Sequence, residues 1–146
     1  MRQSNDPYNL QRFLDAQRGV YEQALAEIED GQKSSHWMWF IFPQLDGLGS
    51  SPTAKRYAIT SADEAKAYLR DPVLGARLLQ CAEAALRLQG LSATEIFGYP
   101  DDMKLRSCAT LFAHVSPPGS VFEKLLAKYF GAHADEKTLR LLGERG

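Results

Sequence analysis

A chain of 146 residues with 45% hydrophobic and 24% charged content suits a single soluble domain. It is long enough to bury about 68–70% of its unfolded surface without metal or disulfide. Its net charge of −1 argues against a broad nucleic-acid footprint or a basic membrane-binding face.

The N-terminal MRQSNDPYNLQRF is polar and mixed in charge and reads as no signal peptide. Asp6-Pro7 looks like an N-cap followed by proline at the first helical position. Leu10, Phe13, Leu14, Tyr21, Ala24, Leu25 and Ile28 then recur at three- and four-residue spacing, predicting one amphipathic helix ended by Gly31. Ser61-Ala-Asp-Glu64, Ser92-Ala-Thr-Glu95 and Ser120-Val-Phe-Glu123 are three capping boxes, each opening a helix. Asp71-Pro72 starts another, whose stripe through Leu74, Leu78, Cys81 and Ala85 runs to Gly90. Asp101 or Asp102 is expected to cap a helix closed by Pro117-Pro118, and Asp135 a last one through Leu142. The expectation is an all-α single domain over 1–146, its core spanning about 6–142, with about seven helices. Cys81 and Cys108 lie in apolar-periodic surroundings, as buried thiols of a reducing compartment do. The longest apolar run, 37–43, falls far short of the about 18 residues of a membrane span. A cytoplasmic location follows as the expectation.

That run belongs to KSSHWMWFIFPQLDGLGSS, 33–51. Its composition suits a strand, yet no other segment offers a strand partner, and a lone hairpin is marginal in water. A short central helix capped by Ser34 or Ser35 and ended by Pro43 is expected. Its side chains point in every direction, which places Trp39 and Phe40 at the centre of the core.

SHWMWFIFPQLDGLGSS, AKAYLRDPVLGARL and FGYPDDMKLRSCATLF together resemble the bacterial and fungal family catalogued as domain of unknown function 1810. The likeness covers Asp6 to about Leu142 and implies a mainly helical single domain. Members are sometimes labelled calpastatin, but calpain inhibitors are disordered repeats and this sequence is core-rich. Two positions depart from the family pattern: Asp71 stands where a histidine is usual, and Cys108-Ala109 replaces a more common serine-methionine.

The candidate site is the loop after Pro43. Gly47 and Gly49 permit left-handed backbone and close ligand approach, Ser50 and Ser51 add hydroxyls, and Arg56 lies just beyond. Exposed amides at a helix start beside cations suit phosphate or carboxylate; the alternative is a glycine turn with a serine N-cap. Lys33 is either an anion contact or a solvated lysine. His36 is a proton-transfer group, a ligand contact or a structural histidine. Trp37 or Trp39 is either core or a face for a planar group, and Gln44 offers directional hydrogen bonds. Asp102 and Arg106 are spaced for a surface ion pair. His36, His114 and His133 have no metal-ligand spacing, and no GxSxG elbow accompanies a serine, so no cofactor or reaction is assigned. Two functions remain: a binder or enzyme for a small anionic, nucleotide-like ligand, or a protein-interaction module with a purely structural aromatic core. Polar atoms converging on a concave pocket would favour the first.

Overall fold

The structure, a computed structural model, describes residues 6–144; the first five and last two residues of the expected 1–146 domain lie outside that range. Ten helices fill it: α1 (Gln11–Gln17), α2 (Tyr21–Glu29), α3 (Met38–Ile41), α4 (Pro52–Arg56), α5 (Ala62–Arg70), α6 (Leu74–Arg87), α7 (Ala93–Phe97), α8 (Asp101–His114), α9 (Val121–Phe130) and α10 (Glu136–Glu144). Among the described residues the only β-type pairing is one isolated parallel bridge, Leu45 to Ile59. None of the helices is long and apolar enough to cross a membrane.

The helix count exceeds seven for identifiable reasons. The expected first helix is two, α1 and α2, because Gly19 turns the chain with φ +73°, a left-handed conformation that glycine adopts without steric cost. A five-residue α4 forms behind the glycine loop, where the Ser51 hydroxyl accepts from the Ala54 amide at 3.1 Å.

The capping boxes are realised in three different ways. At α7 the box is complete, Ser92 and Glu95 each bonding the other's amide. At α9 Ser120 takes the Glu123 amide, but Glu123 reaches back to Gly119 instead of Ser120. At α5 Ser61 caps Glu64, whose carboxylate takes the Thr60 amide and hydroxyl and an Arg12 ion pair at 2.8 Å. Arg12 also donates to the carbonyls of Arg56 and Ala58, tying α1 to the segment that carries Ile59. At α8 the cap expectation fails: Pro100 stands at the N-cap with no side-chain bond. Asp102 is buried and accepts from the Thr94 hydroxyl at 2.6 Å.

The core is continuous through Phe13, Tyr68, Leu78, Phe112 and Phe122, with Phe13 edge-on to Tyr68 at 5.1 Å. The aromatic stretch enters it selectively. Trp37, Met38, Ile41 and Phe42 are buried, whereas Trp39 and Phe40 are only half-buried. One turn of helix sends its side chains around the compass, and two of these directions meet the protein surface. The carbonyl of Phe40 at the end of this short helix accepts from Gln17 Nε2 at 2.9 Å, which satisfies an otherwise orphaned backbone group. Cys81 and Cys108 are buried free thiols. Asp71 is buried as well, and its Oδ1 accepts from the Val73 and Leu74 amides at the start of α6. It serves a capping role that its short side chain suits.

Candidate functional site

Glu27, a residue that the sequence reading passed over, organises the segment leading into α3. Its carboxylate accepts from the Ser34 and Ser35 amides, the Ser35 hydroxyl and the Trp37 indole N–H, the last at 2.8 Å. Burial pushes the Glu27 carboxyl up, but these donors, led by the Ser35 hydroxyl, outweigh it and bring it down to about 2 from an ordinary 4.5. A carboxyl depressed on folding stabilises the protein above its unfolded value, and that contribution is lost as pH falls through the folded value. Wild type is therefore expected to lose about 1–2 kcal/mol more than Glu27→Gln between pH 4.5 and 2, solvent screening having been discounted. Denaturant melts across that window, showing equal acid sensitivity in the two proteins, would contradict this.

Held in this way, the segment directs Lys33, His36 and Trp39 toward the N-terminal end of α8. The Lys33 side chain is only 7% exposed; its ammonium lies 2.7 Å from Asp101 Oδ2 and donates to the Ser35 carbonyl at 2.6 Å. Asp101 Oδ1 lies 3.1 Å from the Lys104 ammonium, so one carboxylate separates two ammonium groups. Burial raises the Asp101 carboxyl, yet Lys33 and then Lys104 overcome that and hold it below the usual carboxylate range. Lys104 also stands over the Trp39 ring, 4.7 Å from its centroid, a cation–π geometry. A cavity of about 240 Å³ opens here, lined by His36, Trp39, Thr53, Asp101 and both lysines.

A second cavity of about 260 Å³ shares Trp39 and Lys104 with the first and has Gln44, Gly49, Met103 and Ser107 among its other walls. Gln44 is held rigidly: its carbonyl accepts from the Ile59 amide at 2.8 Å, and the Asp46 amide donates to Ile59 at 2.8 Å. Its side chain is 3% exposed, and its Nε2 has no hydrogen-bond partner. A buried donor left unpaired costs about 1–3 kcal/mol. Gln17, the other buried glutamine, has both ends of its carboxamide bonded.

The expected site residues thus separate into three groups. Lys33, His36 and the edge of Trp37 share the first cavity, and Gln44 and Gly49 line the second. Trp37 itself is 1% exposed, its N–H engaged by Glu27 and its ring 5.0 Å from the Lys33 ammonium; the half-buried tryptophan of the cleft is Trp39. Gly47, Ser50, Ser51 and Arg56 line neither cavity. Ser51 is occupied as the α4 cap, and Arg56 lies over Tyr57 and lines a separate recess with Arg12. Only Gly47 of the two loop glycines is left-handed, at φ +104°. Gly49 is needed for space, because a Cβ there would lie 2.6 Å from Ala54 Cβ and 2.8 Å from the Trp39 ring. Ser107, which lies on neither apolar stripe of α8 and is spaced with Thr110 to line a cleft, does wall the second cavity, as does Lys104, and the expected Asp102–Arg106 pair is replaced by other partners. Arg106 donates to the carbonyls of His133 and Ala134. Among the described residues no group of three or more His, Cys, Asp or Glu is placed to hold a metal ion.

A family model described as "Protein of unknown function (DUF1810)" matches residues 7–142. Among solved structures, the conserved hypothetical protein Rv1873 from Mycobacterium tuberculosis is 51% identical, with a TM-score of 0.93 over 94% of this chain and 99% of that one. No curated protein matches.

Proposed function

The chain belongs to the family of proteins of unknown function DUF1810, and we propose that it binds a small organic molecule in the cavity under Gln44. The carrying observation is that Gln44, whose Nε2 is buried and unpartnered, is one of the residues lining that cavity. Turning the carboxamide toward the cavity would bring that donor to an acceptor carried by a ligand. The half-buried Trp39 ring gives the ligand an apolar contact, and the Ser107 hydroxyl, which donates to the Met103 carbonyl at 3.2 Å, still has a lone pair to offer. Gln44, Lys104 and Ser107 share one concave surface, which favours this reading over a protein-interaction module with a filled core, although His36 and the loop residues Gly47, Ser50 and Ser51 lie elsewhere. No reaction is assigned, since no nucleophile with a partnered base lines the cavity.

The test uses neutral ring compounds that carry a carbonyl acceptor: uracil, 2-pyridone and nicotinamide. At least one is expected to shift the Gln44 carboxamide and Trp39 indole NMR signals saturably, and Gln44→Met should abolish the shift. Without ligand, the same variant should be about 1 kcal/mol more stable than wild type, because it removes an unpaired donor at similar volume. Three silent compounds, or a Gln44→Met protein that is markedly less stable, would show the glutamine to be structural.

A further inference from the structure

Resting on that reading, we infer that the ligand also carries an oxyanion, seated in the neighbouring cavity between Lys33, His36 and Lys104. The substrate class would then be an organic phosphate or carboxylate whose uncharged end reaches Gln44. Geometry, charge and size support this together.

The two cavities share the side chains of Trp39 and Lys104, so a molecule in one touches the walls of the other. Neither volume alone, about 260 and 240 Å³, reaches the roughly 300–1,000 Å³ typical of ligand sites, but the pair does. The charges are uneven as well. Two ammonium groups face the single carboxylate of Asp101, and both of its oxygens are already taken. Among the residues lining this cavity one positive charge is left over, and an anion is the group that balances it. Lys104 is the more exposed of the two cations: its side chain is 25% exposed, whereas that of Lys33 is 7% exposed. It stands over Trp39, at the junction of the two cavities. The His36 ring is exposed on the same wall and supplies a further donor.

This places the oxyanion away from the glycine loop. The five-residue α4 has its first turn capped by Ser51, and the Asp46 amide is bonded to Ile59. The anion contacts come from side chains on α8 and on the segment before α3.

The experiment is an NMR titration with sodium phosphate against sodium chloride of equal ionic strength. The chain has two tryptophans, so Trp39→Phe assigns both indole signals. Phosphate should move the Trp39 signal saturably, with a dissociation constant of about 1–10 mM, ordinary for a lone fragment. Lys104→Ala should weaken this by roughly tenfold or more, as loss of a charge-assisted contact does. Arg87→Ala removes the same charge at an exposed position on the last turn of α6 and should titrate like wild type. An unshifted Trp37 signal in Lys104→Ala reports that the fold survives. Acetate run in parallel separates the two sources, since a response to phosphate alone identifies a phosphate site. No movement beyond the chloride control, or wild-type titration by Lys104→Ala, would overturn the inference. If the neutral rings bind and phosphate does not, the Gln44 reading stands and this one falls; if phosphate binds and the rings do not, the anion seat stands and the Gln44 end of the ligand falls.

Discussion

Trp37→Ala is expected to destabilise the protein by about 3–5 kcal/mol, the loss typical of emptying a large aromatic site in a packed core. The side chain is 1% exposed, packs against Phe42 at 6.3 Å and donates its indole N–H to Glu27. The substitution therefore opens a cavity and also removes one of the donors that keep the Glu27 carboxylate ionised. Against a total stability of about 5–15 kcal/mol, the variant sits near the edge of folding. Trp39→Ala makes the sharper comparison. Trp39 is half-buried and faces the cleft, so its loss should cost less than half as much. Urea melts of the two variants check this, and equal losses would mean that Trp39 is as much a part of the core as Trp37.

The reversal of those two tryptophans shows how far periodicity carries. Stripes such as Leu74, Leu78, Cys81 and Ala85 declare a buried helix face because many residues vote for one direction. α3 has four residues, barely one turn, so no stripe exists and every orientation looks equally apolar from the sequence. Which side chain meets solvent is decided by elements distant in the chain, here α8, whose Lys104 lies over Trp39. The capping boxes were legible because their partners are three residues apart. The recess between Lys33 and Lys104 is only half legible for the opposite reason. Lys33 and His36 lie inside the aromatic stretch that drew attention, but Asp101 and Lys104, which give Lys33 its partner and the recess its excess charge, are about seventy residues away. Gln44 was named for the hydrogen bonds it offers; that its Nε2 is sealed from water without a partner is a property of packing alone. Asp102 and Arg106 invert the case. Their spacing fits a surface pair, but burial of Asp102 and the carbonyls of His133 and Ala134 compete successfully for them.

Gly75→Ala is expected to destabilise by about 2–3 kcal/mol, against the direction that helix propensity alone would give. Gly75 is the second residue of α6, and alanine in a helix interior is ordinarily favoured over glycine by about 1 kcal/mol. Here α5 and α6 meet at a tight corner. Asp71 donates its amide to the Ala67 and Tyr68 carbonyls and receives the Gly75 amide on its own carbonyl. A Cβ on Gly75 would lie 2.1 Å from the Leu69 carbonyl oxygen and 2.9 Å from its carbon. The obstacle is backbone, so no side-chain rotation relieves it, and the corner itself must open. Opening it strains the Asp71 cap on Val73 and Leu74 and separates the buried Tyr68 and Leu74 on either side. Overpacking of this kind typically costs about 1–3 kcal/mol, sometimes more, and exceeds the propensity gain. Gly143 supplies the control within the same chain: it lies in α10 with nothing within 4 Å of an added Cβ. Gly143→Ala should therefore be neutral or stabilising by up to about 1 kcal/mol. Urea midpoints that move in opposite directions for the two variants, at unchanged slope, are the expected result; a Gly75→Ala protein that gains stability as Gly143→Ala does would mean the corner has room that the backbone geometry denies it.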